Sequence, residues 1–179
     1  ISDPLEIELI EGEVIQVSFY LGDFTLMRLV VFACSPLSEG LYANGDETEN
    51  AHIDIETSRK THLFYFLSNV SVLTDDENRA IVCYGDSITA QDWPDCLALR
   101  CFTEGYGNTA VIRRATSGSR ILRQYDCITY ESYGLMGSNR FAHEVPTDGA
   151  DVVIIQQGIN DIIHPVGESV NVFRPMSYL

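Results

Sequence analysis

The sequence contains few basic residues. Lys and Arg together number 11, whereas Asp and Glu number 26, so the formal net charge of the 179-residue chain is −15 at pH 7. A chain this acidic repels the phosphates of nucleic acids and of anionic lipid headgroups. The composition therefore argues against nucleic acid and against acidic membranes as partners.

Long apolar runs and clustered metal ligands are also missing. No stretch approaches the roughly 20 apolar residues that a membrane-spanning helix needs, so we expect no such segment. The 5 cysteines form no Cys-x-x-Cys pair and the 4 histidines are scattered, which argues against a zinc site and favours free thiols in a reducing compartment. We therefore predict no metal, no other cofactor and a cytoplasmic location, unless a signal peptide has been removed.

The residues that are present indicate a globular chain with two parts. Apolar residues make up 45% and charged residues 21% of the sequence, which is not the composition of a disordered chain. Residues 1–78 carry β-branched and aromatic runs separated by turn residues, a pattern that predicts a small, all-β, sandwich-like domain. Its predicted strands lie at residues 14–20, 25–33, 52–56, 63–67 and 70–73.

From residue 79 onward, apolar strands alternate with helices. We predict strands at residues 81–84, 110–112 and 151–156. Because these runs are continuously apolar rather than alternating, they indicate a parallel sheet covered by helices on both faces. A first helix is expected to be capped by Asp92, to hold Pro94 in its first turn and to end at Gly105. A second helix is expected over residues 119–129.

Polar residues follow each of these three strands, at the edge where open α/β sheets bind their ligands. Ser87 supplies a hydroxyl after the first strand, Gly118 leaves a backbone N–H uncovered after the second, and Asn160 brings a carboxamide after the third. A nucleophile with donors for a developing oxyanion is what acyl transfer requires. The alternative interpretation, from Ser87 taken alone, is that this serine only caps the following helix.

Three short blocks resemble the signatures of one family. The first block, residues 85–89 (Gly-Asp-Ser-Ile-Thr), resembles that of the SGNH hydrolases, also called GDSL-type esterases. The second block, residues 117–122, and the third block, residues 158–161, are similar to that family's next two signatures, in the same order. The resemblance implies a flavodoxin-like, three-layer α/β/α domain over residues 79–179. It does not cover the N-terminal β region, although a β module before the catalytic domain is familiar in carbohydrate-active members.

The resemblance also implies a role for each matching residue. Ser87 is expected to be the nucleophile, and the backbone N–H groups of Ser87 and Gly118 form an oxyanion hole with the Asn160 side chain. Asp86 is expected to shape the turn that holds Ser87, and not to act as the acid of a triad. The implied function is a serine ester hydrolase that removes O-acyl groups, such as acetyl, from carbohydrate, with no cofactor.

The family's fourth block, an Asp-x-x-His that supplies the general base, is missing. Asp161 and His164 match its spelling, but they lie inside and just after the third block, so we do not expect His164 to be the base. A sheet that stopped after residues 151–156 would also end in an open apolar edge, which native folds avoid. These two features lead to the hypothesis that the polypeptide is a fragment, and that a second polypeptide supplies further strands and the Asp/His pair.

Two other functional classes stay open. One is a non-catalytic carbohydrate-binding or scaffold protein whose hydrolase half is inert. The other is a thioesterase or lysophospholipase of the same fold. The partners that we expect are an acylated small molecule or carbohydrate, with no nucleic acid and no membrane.

Overall fold

The structure, a computed structural model, describes residues 3–10, 12–22, 37–54, 58–61, 67, 69–75, 77–122, 135–146 and 149–163. Within these ranges the chain forms one antiparallel sheet, one parallel sheet and three helices, so the fold is mixed α/β. In chain order the elements are β1 (Gly40–Tyr42), β2 (Arg59–Thr61), β3 (Arg79–Gly85), α1 (Trp93–Thr103), β4 (Thr109–Ala115), α2 (Gly137–Glu144), β5 (Ala150–Gln156) and α3 (Ile159–Ile163).

The parallel sheet has β3 at its centre, with β4 on one side and β5 on the other. Val82 of β3 lies opposite Ile112 of β4 and Val153 of β5, and both pairings are parallel. Val82 is fully buried, because the central strand of such a sheet is covered on both faces. The three strands that the apolar runs predict are thus confirmed, each extended by one or more residues.

Helices α1 and α2 lie against opposite faces of this sheet. Side chains alternate along a strand, so Cys83 and Tyr84 of β3 point to different faces. Arg113, which pairs in register with Cys83, forms an ion pair with Asp95 of α1. Tyr84 donates its hydroxyl hydrogen to the Gly137 carbonyl of α2, with an O···O distance of 2.5 Å. Within the described residues, helices therefore lie on both faces of the sheet at β3, whereas the apolar side chains of β5 are exposed, so the predicted cover on both faces is not found at that strand.

The buried apolar cluster lies on the α2 face of the sheet. Val82, Tyr84 and Val145 form its centre, and Ile112 and Ala150 pack against them. These residues come from four separate elements or their ends, so the cluster exists only once the sheet and α2 have assembled. Burying such side chains is the main favourable term in folding.

Helix α1 begins and ends where the sequence predicts. Asp92 occupies the N-cap position, Pro94 lies in the first turn, and Gly105 follows the helix with a φ of +87°. The Asp92 side chain makes no capping hydrogen bond, so its predicted capping role is wrong. Proline, with its fixed φ, suits the first turn and explains the start, and the left-handed backbone of Gly105 explains the end.

The helix predicted over residues 119–129 is not found in its described part. The chain is non-helical up to Leu122, and the remainder of the prediction lies outside the described residues. Ile121 and Leu122 donate their backbone N–H groups to the Asp161 carboxylate, and this tertiary contact takes the place of local helical bonds. The sequence analysis did not predict α2.

Part of the N-terminal strand prediction is also wrong. Residues 14–20 and 70–73 are described, and neither run forms a strand. Their apolar side chains are exposed, Val14 to 93%. A β-branched run forms a strand only where a neighbouring strand pairs with it and a packed face covers it. The short antiparallel pair of β1 and β2 forms at positions that the sequence analysis did not single out.

The other predicted N-terminal strands lie wholly or partly outside the described residues. That is true of all of residues 25–33, and Leu67 is the one described residue of the run 63–67. The described residues 52–54 are not in a strand. The sandwich-like domain over residues 1–78 therefore stays a prediction, and the described part of it shows a single two-stranded sheet.

Two observations concern the helices and the cysteine side chains. None of the helices within the described ranges combines the length and apolar character needed to cross a bilayer. Cys83, Cys96 and Cys101 carry free thiols, while Cys34 and Cys127 lie outside the described residues. Burial raises the pKa of the Cys83 thiol to about 11, so this side chain is protonated and unreactive at neutral pH.

Candidate active site

The three blocks follow strands that end at one edge of the parallel sheet. Gly85, the last residue of β3, lies opposite Ala115 of β4 and Gln156 of β5. The N–H of Thr116 donates to the Gly85 carbonyl at 3.1 Å, and the Thr89 hydroxyl donates to the Gln156 carbonyl at 3.2 Å. The segments carrying Ser87, Gly118 and Asn160 therefore start from neighbouring points.

Gly85 allows the strand ends to approach closely. A Cβ atom at this position would overlap the carbonyl oxygen of Gln156 and the hydroxyl of Thr89. One of these atoms belongs to the backbone of β5, so it cannot move aside without disturbing the sheet. The first glycine of the first block thus has a steric reason to be glycine.

Asp86 is buried beside Ser87 and organises the turn after β3. Its Oδ1 atom accepts the N–H of Ile88 at 3.1 Å, and its backbone carbonyl accepts the N–H of Ala90 at 3.0 Å. Burial raises the pKa of the Asp86 carboxyl, while hydrogen bonding to the N–H groups of Ile88 and Gly158 acts in the opposite direction. These contacts suit the turn-shaping role expected of Asp86. Ser87 itself is half-buried.

Gly118 lies in a tight turn of the second block. Its φ is +75°, in the left-handed region that favours glycine over residues with a Cβ. The N–H of Ser119 donates to the Thr116 carbonyl at 3.2 Å and closes the turn. A residue with a Cβ at position 118 would therefore be strained.

Asn160 connects the third block to the second. It lies in α3, is almost completely buried, and donates one Nδ2 hydrogen to the Ser119 carbonyl at 3.2 Å. Its own backbone carbonyl accepts the Nε hydrogen of Arg120 at 3.2 Å. A carboxamide has two N–H hydrogens, and this hydrogen bond uses one of them, so a second remains to donate to a ligand.

Asp161 forms the second connection between these blocks. The carboxylate is fully buried and accepts the N–H of Ile121 at 2.9 Å and that of Leu122 at 3.4 Å. The carboxylate is therefore used to hold the backbone of the second block. The expectation that Asp161 and His164 are not the catalytic Asp-x-x-His stays a prediction. His164 itself lies outside the described residues.

Sequence reasoning missed two residues that bind the blocks together. Arg140 of α2 donates from Nη2 to the Gly85 carbonyl at 3.1 Å and to the Ser119 hydroxyl at 3.2 Å. Gln157, which follows β5, donates from Nε2 to the same hydroxyl at 3.0 Å. Gln157 directly precedes the third block, so its position in the sequence could have indicated it. No local pattern marks Arg140, because its partners are 55 and 21 residues away.

An apolar cavity of about 290 Å³ adjoins this network. Tyr84, Ile121, Phe141 and Ile155 supply most of its wall, and Gln157 lies at its polar side. The cavity therefore opens between α2 and β5, next to the second and third blocks. Its lining suits a hydrocarbon group rather than a charged one.

The described part of the chain contains two histidines that could be considered as a general base. His52 belongs to the N-terminal region and His143 to α2, and both are exposed. Within the described residues, no group of three His, Cys, Asp or Glu side chains is arranged to hold a metal ion. The three blocks themselves supply a hydroxyl, backbone N–H groups and a carboxamide.

Comparison with known proteins yields no family model that matches the chain, and no curated protein that matches it. The resemblance to the SGNH hydrolases therefore rests on the three blocks alone.

Proposed function

We propose that this chain is a serine ester hydrolase of the SGNH type, with Ser87 as nucleophile and an oxyanion hole of Ser87 N–H, Gly118 N–H and the Asn160 carboxamide. The observation that carries the proposal is the hydrogen bond from Asn160 Nδ2 to the Ser119 carbonyl. This hydrogen bond joins the second block, which contains Gly118, to the third block, which contains Asn160. Both blocks follow strands that flank β3, the strand that leads to Ser87. A flavodoxin-like domain over residues 79–179 is part of the same proposal, supported by the parallel order β4-β3-β5.

In this mechanism the Ser87 oxygen attacks the ester carbonyl and a base removes its proton. The carbonyl oxygen becomes an oxyanion that accepts hydrogen bonds from the three donors. The base then gives the proton to the leaving alcohol, and water releases the acyl group from Ser87 by the same route. Each donor of this kind is typically worth about 10²–10³ in kcat.

We propose that the base comes from outside the described residues, either elsewhere in this chain or in a second polypeptide. The carboxylate of Asp161, three residues before His164, is occupied by backbone N–H groups. Strand β5 forms one side of the sheet, and its apolar side chains are exposed, Ile155 to 58%. An edge of this kind is where a further strand of a completing polypeptide would pair.

For the substrate we propose an O-acylated carbohydrate or small molecule. The net charge of −15 disfavours polyanionic substrates, and a neutral sugar ester avoids that repulsion. A second candidate, a thioesterase or lysophospholipase, is favoured by one observation, the apolar cavity beside Ile121 and Ile155. Rates for p-nitrophenyl esters of increasing acyl length distinguish the two: an acetyl optimum supports the first, and an optimum at longer chains supports the second.

The test of the proposal is reaction with a serine-directed fluorophosphonate, followed by peptide mapping. We expect stoichiometric labelling at Ser87, no labelling of Ser87→Ala at an unchanged melting temperature, and normal labelling of Ser71→Ala, which alters an exposed serine. No labelling at Ser87 in a folded, full-length sample that includes any completing polypeptide would support the non-catalytic carbohydrate-binding or scaffold alternative. Hydrolysis of p-nitrophenyl acetate by Ser87→Ala at the rate of the unaltered protein would exclude Ser87 from the mechanism.

A further inference from the structure

Arg140 is a buried cation in a position that the proposed chemistry does not explain. Its side chain is 4% exposed, and burial of a charge is unfavourable unless the charge is paired and hydrogen-bonded. Glu144, one turn further along α2, pairs with Nη1 at 2.6 Å, and the guanidinium lies 4.9 Å from the centre of the Tyr84 ring. These contacts neutralise and cover the charge.

The other nitrogen of the guanidinium reaches two strand-end segments at once. Nη2 donates to the carbonyl of Gly85 and to the hydroxyl of Ser119. Gly85 is the last residue of β3, two positions before Ser87, and Ser119 directly follows Gly118. One side chain of α2 therefore joins the segment of the proposed nucleophile to the segment of a proposed oxyanion donor.

Ser119 is where the other connections meet. Its hydroxyl also accepts a hydrogen bond from Gln157, which follows β5, and its carbonyl accepts one from Asn160. Gln157 and the Asn160 carboxamide thus bind directly to the residue after Gly118, and the end of β3 is connected to it through Arg140. Because Gly118 has no side chain of its own to hold it, the direction of its N–H depends on how its neighbours are fixed.

We propose that Arg140 is a positioning residue, which holds Ser119 against the end of β3 so that the Gly118 N–H faces the reacting carbonyl of a substrate bound at Ser87. This inference rests on the proposed function. The guanidinium suits the task because its planar fork of donors reaches Glu144, Gly85 and Ser119 together. The compact ammonium of lysine does not span these three acceptors.

The chain contains a matched control on α1. Arg100 and Glu104 have the same spacing as Arg140 and Glu144, with an Nε···Oε1 distance of 2.8 Å, but both side chains are exposed. Arg100 and its partner lie within one helix and at its end, away from the three blocks. An arginine-to-lysine change at position 100 therefore removes the same kind of i,i+4 pair without touching the proposed site.

The test compares Arg140→Lys, Ser119→Ala and Arg100→Lys in fluorophosphonate labelling of Ser87 and in hydrolysis of p-nitrophenyl acetate. For the first two variants we expect labelling about 10²-fold slower, because a displaced donor costs rate of this order, with kcat reduced and KM unchanged. Arg100→Lys should match the unaltered protein. In Arg140→Ala, millimolar guanidinium ion should restore part of the lost rate, which a general loss of stability would not allow.

The outcomes separate this inference from the function it rests on. If the unaltered protein, folded, at full length and with any completing polypeptide, is not labelled at Ser87, the proposed function is overturned and the role of Arg140 falls with it. If the unaltered protein is labelled and folded Arg140→Lys and Ser119→Ala react equally fast, the role of Arg140 alone is overturned. Ser119→Ala leaves the charge pair with Glu144 in place, so it decides the matter even where an Arg140 variant fails to fold.

Discussion

Residues 14–20 and residues 81–84 look alike in sequence and differ in structure. Both runs are rich in β-branched and aromatic residues, yet the first is exposed and irregular, whereas the second forms the buried centre of a parallel sheet. The difference is that β3 has a strand on each side and a helix on each face. Strand propensity expresses how well a residue fits a paired, covered surface, and the surroundings must supply that surface.

The same contrast extends to the polar groups of the two regions. Around β3 the charged side chains of Asp161 and Arg140 are buried and hydrogen-bonded to residues far away in the sequence. In the N-terminal region, the hydrogen bonds of Thr48 with Asp46 join close neighbours in an exposed turn, and the ion pair of Lys60 with Glu39 is exposed. Buried polar contacts over long sequence separations thus characterise the region around β3, and this is the region where we place function.

The largest test of this contrast compares two tyrosines. Tyr84→Ala should lower the free energy of unfolding by about 3–5 kcal/mol, because it removes a buried ring together with its contacts to α2. Tyr42→Ala, at a β1 position that is 51% exposed, should change it by no more than about 0.5 kcal/mol. Urea denaturation of both variants measures the two values, and equal losses would contradict the difference between the regions.

A smaller effect is expected where buried backbone groups lose their acceptor. Asp161→Ala should cost about 1–3 kcal/mol of unfolding free energy, because the N–H groups of Ile121 and Leu122 are left unpaired. It should also slow the labelling of Ser87, since it releases the second block from the third. Asp46→Ala in the exposed turn should cost much less than Asp161→Ala, because water largely replaces the carboxylate as acceptor for the N–H of Thr48. An Asp161 variant as stable and as reactive as the unaltered protein would show that this connection is unimportant.

The smallest expected effect is a difference in the sign of pH dependence between two aspartates. Folding raises the pKa of Asp86 above its ordinary value of 3.8, chiefly through burial. Its contribution to stability is therefore present at low pH and is lost as pH rises from 3.8 through the folded value. The Thr48 hydroxyl and N–H lower the pKa of Asp46, so its contribution is present above 3.8 and is lost as pH falls through the folded value.

The aspartate comparison is measured with Asp86→Asn and Asp46→Asn in urea unfolding from pH 3 to pH 7. The stability of Asp86→Asn relative to the unaltered protein should improve as pH rises. For Asp46→Asn, the deficit relative to the unaltered protein should shrink as the solution becomes more acidic. Two variants that shift in the same direction would contradict the assignment of one carboxyl to a buried turn and the other to an exposed one.

The sequence predicts the parallel strands and the limits of α1 because both depend on local signals. Continuous apolar runs such as 81–84 mark buried strands, and Pro94 and Gly105 mark helix limits through their backbone preferences. The helix expected from residue 119 fails for the opposite reason. Its backbone N–H groups bind Asp161, about 40 residues away, and no local pattern carries that information.

The residues of the candidate site also fall into two groups, those that local sequence signals predict and those that only tertiary contacts reveal. The residues Ser87, Gly118 and Asn160 are recognised from short blocks and from the rule that strand ends gather at one edge. Arg140 and the hydroxyl of Ser119 are not recognised, because their importance comes from contacts between elements. The sequence does not distinguish the buried Arg140 from the exposed Arg100, because their difference in burial arises from tertiary packing.

The amino-acid sequence by itself determined the acidic character of the chain, the three apolar strands of its C-terminal part and the polar residues that follow them. These features depend on composition and on interactions between near neighbours. Tertiary structure alone decided which β-rich runs pair into sheets, which helix covers the Tyr84 face, and how Arg140, Asp86 and Asp161 bind the three blocks to one another. Those outcomes depend on burial and on hydrogen bonds between distant residues, whose free energy exists only after the chain has folded.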